Sequence, residues 1–156
     1  MRPDVPLPRP QRYIGVIGAG ECDAELGALA EAVGRGIAEA GAVLVCGGMG
    51  GVMEAACRGA KRAGGLTVGI LPGPDRGGAN KCVDIAIATG IGEARNLAII
   101  RTSDVLIAVG GSYGTLSEIG FALKARKRVV GLKTWDIEGI ERADSSASAL
   151  ALALGD

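Results

Sequence analysis

The 156-residue sequence contains no histidine. This absence excludes the imidazole bases and nucleophile pairs of many hydrolases, and every zinc site that needs an imidazole ligand. No two of the cysteines, Cys22, Cys46, Cys57 and Cys82, form the C-x-x-C spacing of metal clips and redox motifs. We therefore expect reduced thiols and no metal site.

An excess of charge of one sign and long apolar runs are also missing. Lys plus Arg number 17, as do Asp plus Glu, so the formal net charge is zero and no basic surface that tracks nucleic acid is expected. No apolar run reaches the ~18 residues of a membrane span, and the first residues lack the pattern of a signal peptide. The sequence therefore predicts a cytoplasmic protein without nucleic-acid or membrane partners.

Aromatic residues are scarce, at 3%, whereas hydrophobic residues reach 48% and glycine takes 27 positions. A core of this composition consists of Ala, Val, Leu and Ile packed around small residues, which favours layered α/β packing. The length is that of one ordinary domain. Four prolines within residues 1–12 predict a loose arm, followed by a single domain over residues 13–156.

Short β-branched runs alternate with segments of helical spacing. The runs are apolar on both alternating faces, which is typical of parallel strands covered by helices on two sides. Predicted strands are 13–17, 43–46, 67–71, 83–88, 105–109 and 129–132, and predicted helices are 22–40, 51–63, 92–102 and 115–125, the first two ending at Gly41 and Gly64. The pattern predicts a doubly wound parallel sheet. Residues 145–154 fit either a short helix or part of a subunit contact.

Two glycine-rich turns echo each other at an offset of 64 residues, because VCGGMGGVME at 45–54 aligns with VGGSYGTLSE at 109–118. In each, a predicted strand runs into glycines and then into a helix that carries a glutamate. Glycine lets the backbone approach a phosphate closely, and helix N-termini at this sheet edge favour anions. The turns predict a site for a phosphorylated small molecule. The candidate contacts are Gly47, Gly48, Gly50, Gly51, Glu54, Gly110, Gly111, Ser112, Tyr113, Gly114 and Thr115.

Both glutamates of the echo also have an ordinary structural explanation. Thr115-Leu116-Ser117-Glu118 fits a capping box, in which Glu118 bonds back to the Thr115 amide. Glu54 is a common kind of first-turn residue. The density of glycine before Thr115 favours a site over a plain cap, since an ordinary helix start needs only one turn residue.

A third turn, Gly18-Ala19-Gly20, follows the first predicted strand and resembles the start of a dinucleotide fingerprint. Asp23 stands in place of the third glycine, and no acidic residue ends the second strand. We therefore interpret Gly18 and Gly20 as a tight turn near a nucleotide-sized ligand, and not as an NAD site.

Three cationic residues are candidates for the ligand's anionic group. Arg95 opens a predicted helix at the same sheet edge, where it can hold a phosphate or carboxylate bidentately, although it also fits an exposed first-turn residue. Arg76 lies in a Pro/Gly-rich loop over residues 72–80 that is placed to cover a ligand. Arg76 and Lys81 are the weaker candidates, because loop cations are usually solvated.

These motifs resemble the LOG family of cytokinin-activating phosphoribohydrolases, long mislabelled as lysine decarboxylases, and their shorter relatives, the molybdenum cofactor carrier proteins. The resemblance covers residues 13–132. The family motif P-G-G-x-G-T-x-x-E is matched by residues 110–118, and its upstream glycine turn by residues 47–54. Gly110 replaces the motif's proline, Ser112 its second glycine, and Asn96 follows Arg95 where the enzymes have lysine. These departures are similar to the short carrier-like branch.

The resemblance implies a Rossmann-like domain that forms a homodimer or higher oligomer and binds a nucleoside 5′-monophosphate. It also implies that Arg95 and Glu118 are catalytic, releasing free base and ribose 5-phosphate. A carboxylate near C1′ can stabilise oxocarbenium charge or activate water, which is the role expected of Glu118.

The alternative is a non-catalytic carrier or sensor of a phosphorylated pterin or nucleotide. Both hypotheses, the phosphoribohydrolase and the carrier or sensor, allow a bound AMP-like nucleotide or the molybdenum cofactor. Neither requires a catalytic cofactor. No residue marks a pyridoxal-phosphate lysine, so lysine decarboxylation is not expected.

Overall fold

A seven-stranded parallel sheet forms the middle layer of the computed structural model, which describes residues 11–155. Its strands are β1 (Tyr13–Gly18), β2 (Val43–Cys46), β3 (Leu66–Leu71), β4 (Ile85–Ala88), β5 (Val105–Val109), β6 (Arg128–Leu132) and β7 (Glu141–Ala143). They are ordered β4-β3-β2-β1-β5-β6-β7, and every neighbouring pair is parallel. The prediction of a parallel α/β sheet is confirmed. Residues 1–10 of the predicted arm lie outside the described residues.

Helices cover both faces of the sheet. They are α1 (Ala24–Glu39), α2 (Val52–Arg62), α3 (Arg95–Thr102), α4 (Tyr113–Lys124) and α5 (Ser146–Leu154), and a 3-10 turn, Gly92–Ala94, precedes α3. One buried cluster joins α1, α2 and α5 to one face, whereas α3 and α4 contribute to a second cluster on the other. The architecture is therefore doubly wound. Among residues 11–155, no helix has the length and apolar character needed to cross a bilayer.

Glycines allow α1 and α2 to touch through their backbones. A Cβ atom on Gly34 would collide with the carbonyl of Ala56, and one on Gly59 would collide with the carbonyl of Glu31. The high glycine content predicted turns, and Gly41 and Gly64 do end α1 and α2 with φ of 72° and 75°. The helix–helix contact is a second use of glycine that the sequence analysis missed.

The structure moves the start of β4, adds the strand β7 and shows a helix where the sequence left two alternatives open. β4 begins at Ile85, because the Asp84 carboxylate accepts a hydrogen bond from the Thr67 amide and the Asp84 amide donates to Thr67 Oγ1. β7 was not predicted, since its three residues lack an apolar run. Within residues 145–154, Ser146–Leu154 form α5, and Ser145 is its N-cap, in a capping box with Ser148.

Candidate functional site

The strand order reverses beside β1, with β2, β3 and β4 on one side and β5, β6 and β7 on the other. Open α/β sheets bind ligands where this reversal separates the loops at the carboxyl ends of the strands. A cavity of about 140 Å³ lies at this point. We call it the central cavity; its lining includes Gly18, Gly47, Met53, Arg95, Asn96 and Glu118.

Arg95 is anchored in the central cavity by two backbone carbonyls. Its Nη1 atom donates to the carbonyl of Gly47 at 2.7 Å and to that of Ile70 at 2.6 Å. The buried Nε–H has no hydrogen-bond partner among the described residues. Burial lowers the pKa of Arg95, whereas Glu118 raises it. An unpaired buried donor costs free energy, and native structures keep few of them.

Glu118 faces Arg95 across the same cavity, from the sixth residue of α4. Burial raises the pKa of its carboxyl to about 7, although the charge of Arg95 lowers it. α4 begins at Tyr113 with Ser112 as its N-cap, so Thr115 is an interior helix residue and not a cap. The capping-box explanation of Glu118 is therefore wrong, and the carboxyl is available to a ligand.

The segment that follows β6 donates two hydrogen bonds to the second glycine turn, residues 110–112. Thr134 Oγ1 donates to the carbonyl of Gly110 at 2.5 Å, and Trp135 Nε1 donates to that of Ser112 at 3.0 Å. The C=O and N–H of a trans peptide point in opposite directions. The amides of Gly111 and Tyr113 therefore point away from Thr134 and Trp135, at the N-terminus of α4, as an anion site requires.

The backbone of this turn needs glycine. Gly110 and Gly111 have φ of 59° and 109°, a region that side chains other than glycine rarely adopt. Thr115 is buried directly beneath Gly111, whose added Cβ would collide with the threonine side chain. Gly114 lies in the first turn of α4 with open space around it.

The first glycine turn, residues 47–51, is held by Asn80. The Asn80 amide donates to the carbonyl of Gly48 at 2.8 Å, and its Nδ2 donates to that of Met49, also at 2.8 Å. The loop that was predicted to cover a ligand is thereby tied to this turn. Its Arg76 and the neighbouring Lys81 are exposed and line none of the cavities described for residues 11–155.

The structure separates the two glutamates of the sequence echo. Glu54 lies in the first turn of α2 and lines a different cavity, of about 410 Å³, together with Asp23, Glu31 and Arg58. Gly20, Gly50 and Gly51 lie where the turn after β1 meets the start of α2: the Val52 amide donates to the carbonyl of Ala19 at 3.0 Å. The first turn thus contributes Gly47 to the central cavity but not Glu54.

Asn80, Thr134 and Trp135 were missed by the sequence analysis. Thr134 and Trp135 follow β6 at the same carboxyl edge as the glycine turns, and their position after a predicted strand was a usable signal. Asn80 carries no comparable signal. Within residues 11–155, no group of three or more acidic or cysteine side chains is placed to hold a metal ion, and all four cysteines are free.

Comparison with known proteins gives concordant results. Residues 11–153 match the model of the SLOG cluster4 family. An uncharacterised protein of Archaeoglobus fulgidus is 58% identical over 120 residues, which are 77% of this chain and 79% of the relative.

Two solved structures are similar along nearly the whole chain. The molybdenum cofactor binding protein of the phototrophic bacterium Rippkaea orientalis has 41% identity and a TM-score of 0.87, covering 91% of this chain and 94% of its own. The molybdenum cofactor carrier protein of Chlamydomonas reinhardtii has 39% identity and a TM-score of 0.84, covering 91% and 95%. The resemblance to the LOG family and its carrier-like branch is confirmed, and the chain belongs to the SLOG cluster4 family.

Proposed function

We propose that this protein is a carrier that binds a phosphorylated pterin, of which the molybdenum cofactor is an example, at the central cavity. The observation that carries the proposal is Arg95, a charged side chain kept half-buried at the sheet's switch point with an unpaired buried Nε–H. Similarity to a molybdenum cofactor binding protein and a molybdenum cofactor carrier protein, at 41% and 39% identity, supports it.

The residues around the cavity match the groups of such a ligand. The amides of Gly111 and Tyr113 suit its phosphate, because they lie at a helix N-terminus. Glu118 suits the ring N–H and amino donors of a pterin, since a carboxylate accepts hydrogen bonds on both oxygens. Asn96 lines the same cavity and offers both a donor and an acceptor.

A second candidate function, hydrolysis of nucleoside 5′-monophosphates, is favoured by one observation. Arg95 and Glu118 share one cavity, and the pKa of Glu118 is raised to about 7, which suits proton transfer near neutral pH. In that reaction water replaces the base on C1′, giving free base and ribose 5-phosphate. Glu118 would activate the water, and Arg95 would stabilise the leaving base.

The test incubates the purified protein with molybdenum cofactor released from a molybdenum enzyme and, separately, with a panel of nucleoside 5′-monophosphates that includes a prenylated adenine nucleotide. After gel filtration, mass spectrometry measures bound ligand, free base and ribose 5-phosphate. We expect intact molybdenum cofactor on the wild type and at least a tenfold loss in Arg95→Met. Arg76→Met, which removes an exposed loop cation, is the matched control and should bind as the wild type does.

The two candidate functions give different products. Free base from the wild type, abolished in Glu118→Gln, would replace the carrier by a phosphoribohydrolase. Binding that is unchanged in Arg95→Met would contradict both functions at this site.

A further inference from the structure

Two cysteine thiols lie against each other beside the first glycine turn. Cys46 ends β2 and Cys57 lies in the middle of α2, and their Sγ atoms are 3.5 Å apart. Both side chains are fully buried, and both thiols are free. A disulfide bond is about 2.05 Å long, so the two sulfurs would have to approach by about 1.5 Å. Joining them therefore requires only a short movement of the two side chains.

The thiol pair also supports the first glycine turn. The Gly48 amide donates to Cys46 Sγ at 3.3 Å, and the Gly48 carbonyl accepts from the Asn80 amide at 2.8 Å. The side chain of Asn80 in turn interacts with the Cys57 thiol. Both groups that hold Gly48 in place are consequently in contact with the pair.

The surroundings make Cys46 the more nucleophilic of the two sulfurs. The hydrogen bond with Cys57 lowers the pKa of the Cys46 thiol, and the Gly48 amide and the charge of Arg95 add to this effect and outweigh burial. The same hydrogen bond, together with burial, raises the pKa of Cys57. Because the thiolate is the reactive form of cysteine, oxidation of the pair begins at Cys46.

The central cavity gives a small oxidant an approach to the pair. Gly47, which follows Cys46 in the chain, lines this cavity, and so does Met53, one helical turn before Cys57. Hydrogen peroxide is close to a water molecule in size, whereas a bulky disulfide cannot reach sulfurs that are fully buried. A peroxide is therefore the class of oxidant that suits this pair.

We propose that Cys46 and Cys57 form a reversible disulfide that loosens the first glycine turn. The Cys46 sulfur attacks one oxygen of hydrogen peroxide, the O–O bond breaks, and the other oxygen takes the thiol proton and leaves as water, which gives a sulfenic acid. The Cys57 sulfur then attacks the Cys46 sulfur, the S–O bond breaks, and the hydroxyl takes the Cys57 proton and leaves as a second water. The two thiols lose two electrons to the peroxide, and a dithiol reductant reverses the reaction.

The disulfide changes the hydrogen bonding of the turn, because the Cys46 sulfur moves from the Gly48 amide toward Cys57. Gly48 is buried, and a buried amide without an acceptor costs free energy, so the turn must shift. Gly47, the preceding residue, accepts the hydrogen bond of Arg95 Nη1. Oxidation therefore weakens the anchoring of Arg95 and, with it, ligand affinity; this last step rests on the proposed function.

Peptide mapping tests the disulfide directly. Reduced protein is treated with hydrogen peroxide, its remaining thiols are alkylated, and the chain is cut after Lys, Arg and Glu. The cut after Glu54 places the two cysteines of the pair in peptides 40–54 and 55–58, and Cys82 lies in 82–93. We expect 40–54 linked to 55–58, with the link removed by dithiothreitol. A link to 82–93 instead, or no link, would overturn the proposal.

Hydrogen exchange of the Gly48 amide, followed by NMR, tests the effect on the turn. In the wild type, peroxide should speed this exchange about tenfold, because the amide loses its acceptor. Cys57→Ser should show no such change, since it cannot form the disulfide; it keeps every methionine, so it also controls for methionine oxidation. Cys22→Ser, which removes a cysteine from another cavity, is the matched control and should respond as the wild type does. An equal response in Cys57→Ser, or none in the oxidised wild type, would overturn the loosening.

Loading with molybdenum cofactor, after the peroxide has been removed by gel filtration, measures the consequence for the central cavity. The oxidised wild type should bind about tenfold more weakly than the reduced protein, whereas peroxide should not change binding by Cys57→Ser. Equal binding by the two forms of the wild type would overturn the coupling to the cavity. Absence of binding by the reduced protein would contradict the proposed function, and the peptide map would still decide the disulfide.

Discussion

At the scale of single residues, Arg95 and Glu118 bring opposite charges into one half-buried cavity. Their attraction does not offset the loss of water around the carboxyl, because burial raises the pKa of Glu118 to about 7 despite Arg95. At neutral pH the cavity therefore holds Glu118 both protonated and ionised. The same group can accept a hydrogen bond from a ligand or donate one.

This raised pKa makes stability depend on pH. Between 4.5, the ordinary value, and about 7, the folded state binds more protons at Glu118 than the unfolded chain, so the free energy of unfolding falls as pH rises. We expect roughly 1–3 kcal/mol to be lost between pH 4.5 and pH 8. In Glu118→Gln this part of the slope should disappear. Urea denaturation at several pH values measures it, and the absence of histidine removes a common competing titration.

Glu54→Gln is the control for this measurement. Glu54 occupies the position that corresponds to Glu118 in the sequence echo but lines another cavity. Glu54→Gln leaves the Glu118 carboxyl in place, so the fall in the free energy of unfolding with rising pH that is assigned to Glu118 should persist. Identical slopes in wild type and Glu118→Gln would show that Glu118 is not the titrating group.

Arg95→Lys tests whether geometry or charge matters at the cavity. One guanidinium nitrogen bridges the carbonyls of Gly47 and Ile70, and a lysine ammonium lacks the planar fork that also places Nε and Nη2. We expect a loss of about 1–2 kcal/mol in the free energy of unfolding and about a tenfold weaker ligand affinity. Arg76→Lys, in an exposed loop, should have a free energy of unfolding within about 0.5 kcal/mol of that of the wild type. Full retention of affinity in Arg95→Lys would mean that charge alone is needed.

The sequence indicated Arg95 and Glu118 as candidate site residues, but it could not indicate their hydrogen-bond partners or their burial. Arg95 is separated from Gly47 by 48 residues and from Ile70 by 25, and its bonds to them exist only once the parallel strands are assembled. The raised pKa of Glu118 likewise comes from burial in the assembled fold. A motif specifies which groups are present, whereas their protonation and partners depend on packing.

At the scale of elements, the two halves of the sequence echo differ in the length of the loop between strand and helix. Residues 47–51 connect β2 to α2, whereas residues 110–112 connect β5 to α4. Relative to the aligned motifs, α4 starts three residues earlier than α2, which rotates its later side chains by most of a turn. Glu118 consequently reaches the central cavity, and Glu54 does not. The strand–turn–helix units were predictable from the sequence, but this rotation was not.

Gly34→Ala should destabilise the protein through the contact between α1 and α2. The added Cβ collides with the carbonyl of Ala56, so the two helix backbones must separate. We expect the free energy of unfolding to fall by about 2–4 kcal/mol, because the added Cβ collides with backbone atoms and no flexible side chain can move aside. Thermal unfolding followed by circular dichroism measures the change.

Gly27→Ala is the matched substitution within the same helix. Its Cβ would meet Cys22 Sγ at 3.6 Å, an ordinary contact, so the gain in helix propensity should stabilise the protein by about 0.5–1 kcal/mol. Equal effects of the two substitutions would show that helix propensity, and not the close backbone contact, governs this pair of helices.

At the scale of the whole molecule, the doubly wound sheet brings three separate turns to one edge. The sequence predicted this convergence, since parallel strands place all their carboxyl ends on the same side. It could not show a further cavity, of about 290 Å³, because the lining of that cavity comes from β6, β7 and the segments that follow them. Those residues contain no recognisable motif.

Ligand binding at this edge should appear in global stability. A ligand that binds only the folded state adds about 2.7 kcal/mol to the free energy of unfolding when its concentration is one hundred times its Kd. This increase raises Tm by about 5–10 °C in a domain of this size. Gly34→Ala should start from a lower Tm and show the same increment, because its helix contact shares no residue with the central cavity. Arg95→Met, whose affinity is expected to fall at least tenfold, should show at most about half of this increment at the same ligand concentration. Differential scanning calorimetry measures all three proteins, and an undiminished increment in Arg95→Met would place the ligand elsewhere on the molecule.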